Sequence, residues 1–256
     1  MIQLIQGDCI TEMQKIESVS VDAIITDPPY GTTACKWDSV IPFEPMWEQL
    51  NRIIKPNGAI VLFGSEPFSS ALRMSNIKNY KYDWIFKKSR PSGFVHAKNK
   101  PMKHHEIISI FSEGATTHAT QSTRRMPYNP QGLVSGNFIR KQSAKSRASD
   151  SGMSYRPSHK DSHVAKFTNY PTSILEFKSE TGYHPTQKPL LLMEYLIKTY
   201  TNESETVLDF TMGSGSTGVA AKNLNRSFIG IEQDPNYFKI AKERINKQDL
   251  FTLDTK

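Results

Sequence analysis

Six short apolar runs constrain the fold of this chain more than any other feature of its sequence. They occupy residues 21–27, 59–64, 82–86, 106–111, 206–210 and 227–232. Within each run, apolar residues follow one another with little polar alternation. Continuous runs of this length are typical of strands that are buried on both faces, as in a parallel sheet. Helical patterns lie between several runs, so the sequence predicts an α/β fold with a doubly wound, mostly parallel sheet.

Three of the helical patterns have recognisable ends. The first, in residues 47–54, ends at the Lys-Pro-Asn-Gly sequence of residues 55–58, because proline and glycine interrupt a helix. The second begins at Pro189. The third begins at Asp234, whose side chain suits the N-cap position, with Pro235 in the first turn. These helices alternate with the strands, as a doubly wound sheet requires.

The composition excludes several classes of protein. Hydrophobic residues make up 37% and charged residues 22% of the 256 residues, and the mean hydropathy is −0.50. No apolar run approaches the ~18–20 residues that span a bilayer, and the first residues lack the basic segment and apolar core of a secretory signal. Two cysteines, Cys9 and Cys35, cannot form a disulfide framework. We therefore expect a soluble, cytoplasmic protein with no membrane partner.

The positive charge is concentrated in one stretch. The chain carries a net charge of +7, and residues 115–170 hold nine Lys/Arg against two acidic residues, a surplus equal to that of the whole chain. The stretch is also rich in Ser, Thr, Asn and Pro, so a solvated loop is one interpretation. The other is a nucleic-acid contact region, in which basic and hydroxyl side chains bind phosphates and base edges. The candidate DNA-binding residues are Arg124, Arg125, Arg140, Lys141, Lys145 and Arg147.

A glycine-rich turn follows the apolar run at residues 206–210. Gly213, Gly215 and Gly218 match the pattern G-x-G-x-x-G, and Glu232 ends the next predicted strand. Such a turn lets a cofactor approach the backbone, while an acidic residue on the next strand accepts hydrogen bonds from ribose hydroxyls. A purely structural turn into a helix at residues 216–224 is the alternative.

The position of this turn decides between cofactors. Only 38 residues follow Gly218, too few for the further strands of a nicotinamide-binding fold, and no lysine follows the glycines as it does in a P-loop. Asp209, just before the turn, would repel a pyrophosphate and attract a cofactor with a positively charged amino group. These features favour S-adenosylmethionine.

A proline-rich tetrapeptide, Asp27-Pro28-Pro29-Tyr30, ends the first apolar run. Proline fixes φ and lacks an N–H donor, so the carbonyl groups of this turn are free to accept hydrogen bonds. The Asp27 carboxylate and the Pro28 carbonyl could each accept one N–H of an exocyclic base amine, and the Tyr30 ring could stack on a base swung out of the duplex. An ordinary strand-end turn is the alternative.

These motifs, in this order along the chain, resemble those of amino-group DNA methyltransferases of the β arrangement, which act on N6 of adenine or N4 of cytosine. In that family the catalytic motif precedes the cofactor motif. The resemblance covers nearly the whole chain and includes His-Pro-Thr-Gln-Lys-Pro at residues 184–189. It implies a circularly permuted, Rossmann-like methyltransferase fold. It also implies a catalytic domain of residues 1–114 and 181–256 with a target-recognition insertion at residues 115–180.

The resemblance further implies the residues of the site. The catalytic residues would be Asp27, Pro28, Pro29 and Tyr30. The residues that bind S-adenosylmethionine would be Asp8, Gln187, Lys188, Asp209, Phe210, Gly213, Gly215 and Glu232. Asp209 and the two glycines are assigned to the methionine moiety, Glu232 to the ribose and Asp8 to the cofactor adenine, although Asp8 could simply cap a turn or helix. Phe210 stands where the family more often has proline, and we expect this change to be tolerated.

The implied reaction is direct transfer of the methyl group to a base amine. It needs no metal, and the pair His104–His105 lacks a third ligand at metal-like spacing. It also needs no covalent enzyme–base adduct. Accordingly, neither Cys9 nor Cys35 stands in a Pro-Cys nucleophile motif, which disfavours methylation at C5 of cytosine.

The target base follows from Asp27. Within the resembled family a carboxylate at the first position of the tetrapeptide is commoner for adenine and serine is commoner for cytosine, so we predict N6-methyladenine as the product. N4-methylcytosine is the alternative, and an RNA or protein methyltransferase and a non-catalytic DNA-binding protein are the other classes. The expected partner is double-stranded DNA. A homodimer and a separately acting cognate restriction endonuclease are left open.

Overall fold

The chain divides into two units in the structure, which is a computed structural model. It describes residues 1–32, 38–116, 123–141, 162–180, 182 and 187–247. One unit comprises Met1–Asn129 and Ser173–Lys256, and the other comprises Pro130–Thr172. Among the helices that the structure describes, none is long and apolar enough to cross a membrane.

A large sheet dominates the first unit. In chain order, the strands of the described residues are β1 (Ile2–Gln6), β2 (Val21–Thr26), β3 (Ile54–Gly64), β4 (Tyr80–Ser92), β5 (Lys103–Phe111), β6 (Val134–Lys141), β7 (Ser162–Thr168), β8 (Ile174–Phe177), β9 (Thr206–Asp209) and β10 (Ser227–Glu232). Eight of them form this sheet, in the order β1-β10-β9-β2-β3-β5-β4-β8. All neighbours are parallel except that β5 is antiparallel to both β3 and β4. The predicted mostly parallel sheet is confirmed.

Helices cover both faces of the sheet. They are α1 (Cys9–Met13), α2 (Phe43–Ile53), α3 (Phe68–Ser75), α4 (Leu190–Tyr200), α5 (Ser216–Asn223) and α6 (Pro235–Asn246). Successive residues of β2 enter opposite cores: Ile24 packs in the core with Leu50 of α2, and Ile25 in the core with Leu196 of α4. Because both faces are covered, the apolar runs lack polar alternation.

The predicted helix ends are largely correct. The Asp234 carboxylate caps α6 by accepting hydrogen bonds from the N–H groups of Asn236 and Tyr237, at 2.8 and 3.1 Å. Helix α2 ends at Ile53, one residue before the predicted end at residue 54. The Lys-Pro-Asn-Gly sequence of residues 55–58 belongs to β3.

The direction of one strand, β5, differs from the simplest expectation. Residues 82–86 and 106–111 lie in β4 and β5, which form an antiparallel hairpin instead of parallel neighbours. An apolar run shows that a strand is buried on both faces but does not indicate its direction.

Two edges of the sheet are used below to locate residues. The carboxyl edge is where β1, β2, β3, β9 and β10 end, and the amino edge is where they begin. The predicted permutation places the catalytic and cofactor motifs on adjacent strands, because Ala23 of β2 pairs with Val207 of β9. The tetrapeptide and the glycine-rich turn therefore meet at the carboxyl edge.

The second unit contains the hairpin of β6 and β7, which are antiparallel. It lies within the predicted insertion, residues 115–180. The boundaries of that insertion as a target-recognition domain stay a prediction.

Candidate active site

A cavity of about 990 Å³ lies at the carboxyl edge of the sheet. In open α/β sheets, ligands bind outside the carboxyl ends of the strands, in sites of about 300–1,000 Å³. The volume is at the upper end of that range, so it suits a cofactor and a base together. The predicted site residues that line it are Asp8, Asp27, Pro28, Pro29, Tyr30, Gln187, Lys188, Asp209, Phe210, Gly213 and Glu232.

Asp27 is held at both of its carboxylate oxygens. Lys188 Nζ donates to Oδ2, and the Tyr30 hydroxyl donates to Oδ1. Burial raises the pKa of Asp27 above its usual range, although Lys188 opposes this by stabilising the carboxylate. The tetrapeptide carboxylate therefore has a fixed orientation at the cavity wall.

Lys188 lies between two carboxylates. Besides its contact with Asp27, its Nζ is 3.4 Å from Glu106 Oε2, and it lies 5.0 Å from the centre of the Phe63 ring. Burial alone would lower the pKa of Lys188, but Asp27 and Glu106 outweigh burial and raise it. Lys188 is thus a protonated, buried cation beside the tetrapeptide.

Glu106 extends this cluster to a second lysine. Its Oε1 lies 3.7 Å from Lys88 Nζ. Burial would raise the pKa of Glu106, but Lys188 and Lys88 outweigh burial and lower it, so Glu106 is a carboxylate. The cluster contains two carboxylates, Asp27 and Glu106, and two lysines.

The turn after Asp27 is fixed by Asp38. Asp38 Oδ1 accepts hydrogen bonds from the N–H groups of Tyr30 and Gly31, at 2.8 and 2.9 Å, and Oδ2 accepts one from Thr32, at 2.9 Å. The Tyr30 ring packs against Phe68, with 5.2 Å between ring centres. Burial, with a further contribution from Asp27, raises the pKa of Tyr30 well above 10, so its hydroxyl is a donor.

Asp209, at the end of β9, is held by neutral donors. Its Oδ1 accepts hydrogen bonds from the Thr26 hydroxyl at 2.6 Å and the Thr211 N–H at 3.1 Å, and its Oδ2 accepts one from the Thr217 hydroxyl at 2.5 Å. Burial raises the pKa of Asp209 to about 6, although the two hydroxyl groups oppose the shift. Its negative charge is not balanced by a lysine or arginine among the described residues, which fits a ligand with a positive amino group.

Glu232 is held in a similar way at the end of β10. Its Oε2 accepts a hydrogen bond from the Gly213 N–H and its Oε1 accepts one from the Asp234 N–H, both at 2.8 Å. Burial raises the pKa of Glu232, although these N–H groups oppose the shift. Glu232 therefore also fixes the glycine-rich turn from the neighbouring strand.

The glycines of the turn have different tasks. Gly213, with φ of +51°, lines the cavity. Gly215 has φ of +81°, and a Cβ there would lie 3.0 Å from Ala241 Cβ of α6, so this glycine allows the turn to pack against that helix. A Cβ on Gly218 would lie 2.4 Å from Ile245 Cδ1, so the third glycine serves the packing of α5 against α6.

Asp8 and Gln187 occupy two further parts of the cavity wall. Asp8 Oδ1 accepts hydrogen bonds from the N–H and the hydroxyl of Thr11, both at 2.9 Å, so Asp8 caps α1 as well as lining the cavity. Gln187 donates to Glu180 at 3.3 Å, and Glu180 also accepts the N–H of Leu190 at the start of α4. These contacts position both residues.

The predicted DNA-binding residues are distributed over several regions. Arg124 and Arg125 lie at the amino edge, because the Arg124 carbonyl accepts the N–H of Ala115 and the adjacent Thr123 carbonyl accepts from Asn57, near the start of β3. Arg140 and Lys141 lie on β6. Lys145 and Arg147, like residues 184–186 of the predicted cofactor segment, lie outside the described residues.

Sequence reasoning missed Glu106, Lys88 and the three threonines that hold Asp209. Thr26 ends β2, Thr211 lies in the turn after β9 and Thr217 lies in α5, so nothing connects them until the sheet order is known. Glu106 ends a basic stretch and follows His104–His105, and this isolated acid is the only signal that could have indicated it. For metals, the part of the chain that the structure describes contains no group of three or more His, Cys, Asp or Glu side chains arranged to hold an ion.

Comparison with known proteins gives a match over most of the chain. The family described as DNA methylase, N6_N4_Mtase, matches residues 21–243. The type II methyltransferase M2.LlaDCHI of Lactococcus lactis subsp. cremoris is 30% identical over 274 aligned positions, which cover 98% of this chain and 91% of the relative.

Two solved structures are similar over nearly the full length. The M1.HpyAVI–SAM complex is 28% identical, with a TM-score of 0.61, and the match covers 95% of this chain and 100% of the other. PvuII DNA methyltransferase, which is cytosine-N4-specific, has a TM-score of 0.66 over 97% of this chain and 88% of its own. At 16% identity, this second likeness shows the shared fold alone.

Proposed function

Because the chain belongs to the family of DNA methylases that act on base amino groups, we propose that it methylates N6 of adenine in double-stranded DNA. S-adenosylmethionine is its methyl donor. The observation that carries the proposal is the placement of Asp27. Its carboxylate lies at the wall of a cavity that also contains Asp209, Gly213 and Glu232 on the adjacent strand ends.

The tetrapeptide would act on the target amine. Asp27 and the Pro28 carbonyl each accept one N–H, and both hydrogen bonds strengthen as the nitrogen becomes positive, so they stabilise the transition state more than the ground state. The bound cofactor supplies an electrophilic methyl group on a sulfonium. The amine nitrogen forms a bond to that carbon as the carbon–sulfur bond breaks, its electron pair goes to sulfur, and one N–H proton leaves towards Asp27 or solvent.

Lys188 and Tyr30 would have separate tasks at Asp27. Lys188 holds Oδ2, which favours the ionised form of the carboxyl group and orients it. Tyr30 holds Oδ1 through its hydroxyl, and this is the contact that the amine N–H would replace when the Tyr30 ring stacks on the base. The carboxylate thus keeps one fixed hydrogen bond while the other is exchanged.

The cofactor would lie along the opposite wall. Asp209 and the backbone at Gly213 suit the methionine moiety, Glu232 the ribose and Asp8 the adenine. Gln187, Lys188 and Phe210 also line the cavity, whereas Gly215 would act by shaping the turn. The support for these roles is that carboxylates with little charge compensation face a cavity large enough for the group.

The target-recognition region would be residues 115–180, with residues 1–114 and 181–256 as the catalytic domain. The support is that Pro130–Thr172 forms a unit separate from the large sheet and carries Arg140 and Lys141 on β6. DNA contacts of Arg124, Arg125, Lys145 and Arg147 belong to the same proposal.

N4 of cytosine is the second candidate, since its amine offers the same two N–H donors to Asp27 and Pro28. The test begins with a labelled methyl donor and three acceptors: unmethylated plasmid DNA, structured RNA and a protein mixture. We expect label in DNA alone. Single-base mapping of modified positions in DNA from cells that produce the enzyme then shows whether adenine or cytosine is modified. Label in RNA or protein only would overturn the proposal.

A further inference from the structure

The hairpin of β4 and β5 extends beyond the carboxyl edge of the sheet. The last paired residue of β3, Gly64, is opposite Ile107, so β5 from Lys103 to Glu106 lies past the end of β3. In β4, Lys87 pairs with His105 and Ser92 pairs with Lys103. Between these two pairs β4 advances five residues and β5 only two, so β4 is irregular there. At about 3.3 Å per residue, β5 from Ile107 to Lys103 extends about 13 Å past the end of β3. We call residues 87–105 the edge hairpin.

The edge hairpin is strongly basic. It contains six Lys/Arg and no acidic residue. Lys87 pairs with Glu176 at 2.8 Å and Lys88 with Glu106 at 3.7 Å, near the base of the hairpin. Towards the tip, the basic residues have no acidic partner among the described residues; they are Arg90, Lys98 and Lys100.

The tip of the edge hairpin presents apolar side chains to solvent. Gly93, with φ of +90°, starts a helical turn at Phe94–His96, in which the His96 N–H donates to the Gly93 carbonyl at 2.9 Å. Phe94 is 82% exposed and Val95 is 89% exposed. The turn is hydrogen-bonded, so the two side chains are displayed by a defined backbone. Adjacent exposed apolar side chains within a basic segment are characteristic of a contact surface.

The base of the edge hairpin is part of the active-site wall. Lys88, Ser92 and Lys103 line the cavity that contains Asp27, and Lys103 donates to Ser65 just after β3. A base that enters this cavity from a duplex would bring the neighbouring phosphates and base pairs close to the hairpin. The basic segment and the apolar tip are therefore continuous with the site of chemistry.

We propose that the edge hairpin contacts DNA beside the target base, with its basic residues on phosphates and Phe94 and Val95 inserted where the base has left the duplex. The inference rests on the proposed function, because it requires that the substrate is double-stranded DNA. Extruding a base costs stacking and pairing free energy, and apolar side chains inserted at base steps offset such costs in other DNA-binding proteins. The charge complementarity of the hairpin and a polyanion favours DNA over a protein occupant.

The test of the tip uses a double variant, Phe94→Ala with Val95→Ala. Its matched control is Met74→Ala with Ile77→Ala, because these side chains are also apolar and exposed, at 70% and 57%. They lie in the last turn of α3 and just after it, towards the amino edge. Methyl transfer is measured on a duplex containing the mapped site and on the same duplex with a mismatch opposite the target base. Fluorescence of 2-aminopurine at the target position reports unstacking, and calorimetry reports cofactor binding.

We expect the tip variant to lose at least tenfold in kcat/KM on the paired duplex, with weaker 2-aminopurine fluorescence and unchanged cofactor affinity. On the mismatched duplex, where extrusion is easier, most of the loss should disappear. The control should stay within about twofold of the wild type on both. An equal loss on both duplexes, no loss, or a changed oligomeric state as the only effect would overturn the inference. Failure of the wild type to methylate DNA would instead overturn the proposed function.

The test of the basic flank compares two sets of charges. Arg90, Lys98 and Lys100 are replaced by Gln, and in a second variant Arg124 and Arg125 are replaced by Gln. Each lost phosphate contact should reduce the log–log slope of DNA affinity against salt by about 0.9. We expect the larger reduction per charge removed for the hairpin variant, because its charges lie at the carboxyl edge. A slope unchanged in the hairpin variant would overturn its role in DNA contact.

Discussion

The carboxylates on the two sides of the cavity are held by different kinds of hydrogen-bond donor. We call the side of Asp27 the target side and the side of Asp209 and Glu232 the cofactor side, after the proposed function. On the target side, Asp27 is held by the ammonium group of Lys188, which also lies near Glu106. On the cofactor side, Asp209 and Glu232 are held by hydroxyl and backbone N–H groups. A carboxylate with neutral donors keeps its charge available for a cationic ligand, whereas one paired with lysine suits a neutral amine. The difference fits the proposed placement, with the target amine at Asp27 and the cofactor at Asp209 and Glu232.

The largest effect is expected on the target side. Asp27→Asn should lower methyl transfer by more than a hundredfold, because an amide oxygen is a weaker acceptor for a nitrogen that becomes positive and the amide cannot take its proton. Cofactor affinity, measured by calorimetry, should change less than threefold. Asp22→Asn, at the other end of β2, is the control and should keep activity. Turnover above a few per cent in Asp27→Asn would contradict the assigned role.

The next effect is expected on the cofactor side. Glu232→Ala should weaken cofactor binding by about 1.5–3 kcal/mol, the range for hydrogen bonds to charged groups. Part of this loss would arise because the Gly213 N–H loses the carboxylate that accepts its hydrogen bond and orients the turn. Glu232→Gln keeps an acceptor for one N–H and should lose less. An unchanged dissociation constant in titration calorimetry would show that Glu232 only ends a strand.

A third prediction concerns the ion pair on the target side. Lys188→Met should lower kcat about tenfold at neutral pH, because loss of the cation raises the pKa of Asp27 further and reduces its ionised fraction. The acid limb of the pH–kcat profile should therefore move to higher pH, and Lys188→Arg should restore part of the shift.

The control for this third prediction is a second lysine–aspartate pair, between Asp22 of β2 and Lys55 of β3. Lys55 pairs with Asp22 at 2.7 Å, but its side chain is 43% exposed against 9% for Lys188. Exposed pairs contribute about 0–1 kcal/mol, so Lys55→Met should leave the pH profile unchanged. Equal profiles for wild type and Lys188→Met would contradict a role for Lys188 at Asp27.

The smallest effect is a pH dependence on the cofactor side. Asp209 has a pKa of about 6, so its charge is lost as the pH falls through that value. As the pH falls from about 7 to about 5, cofactor affinity should decline several-fold more in the wild type than in Asp209→Asn, which lacks this titrating group. A parallel pH dependence in both proteins would show that Asp209 does not face the cofactor.

The raised pKa of Asp209 also predicts a pH dependence of folding stability. Measuring that dependence separates an effect on cofactor binding from an effect on folding. Because the folded pKa of Asp209 is above its ordinary value near 3.9, the folded state binds the proton more tightly than the unfolded state. As the pH rises from about 4 to about 6, the stability of the wild type relative to Asp209→Asn should therefore fall, and above pH 6 it should stay level. Denaturant unfolding at several pH values measures it.

Much of the fold could be predicted because the apolar runs state which segments are buried on both faces. The reversed direction of β5 could not, since burial is the same for parallel and antiparallel strands. Glu106 could not be connected with Asp27 either. The two residues are far apart in sequence, and they meet only because β5 is inserted antiparallel between β3 and β4.

The charge pattern was informative but incomplete. Summing charge over long segments indicated residues 115–170 and hid the edge hairpin, whose six basic residues are balanced by acids elsewhere. Composition also does not show which edge a residue occupies. Arg124 and Arg125 belong to the basic stretch, yet the register of β5 against β3 brings the chain back to the amino edge before it reaches them.

The identity of the modified base tests the central claim most directly. Unmethylated DNA is incubated with the enzyme and a trideuteriomethyl form of the cofactor, digested to nucleosides and analysed by mass spectrometry. Asp27→Asn, treated in the same way, supplies the background. The account predicts labelled N6-methyladenine that depends on Asp27. Labelled N4-methylcytosine as the main product, or N6-methyladenine formed equally by Asp27→Asn, would contradict it.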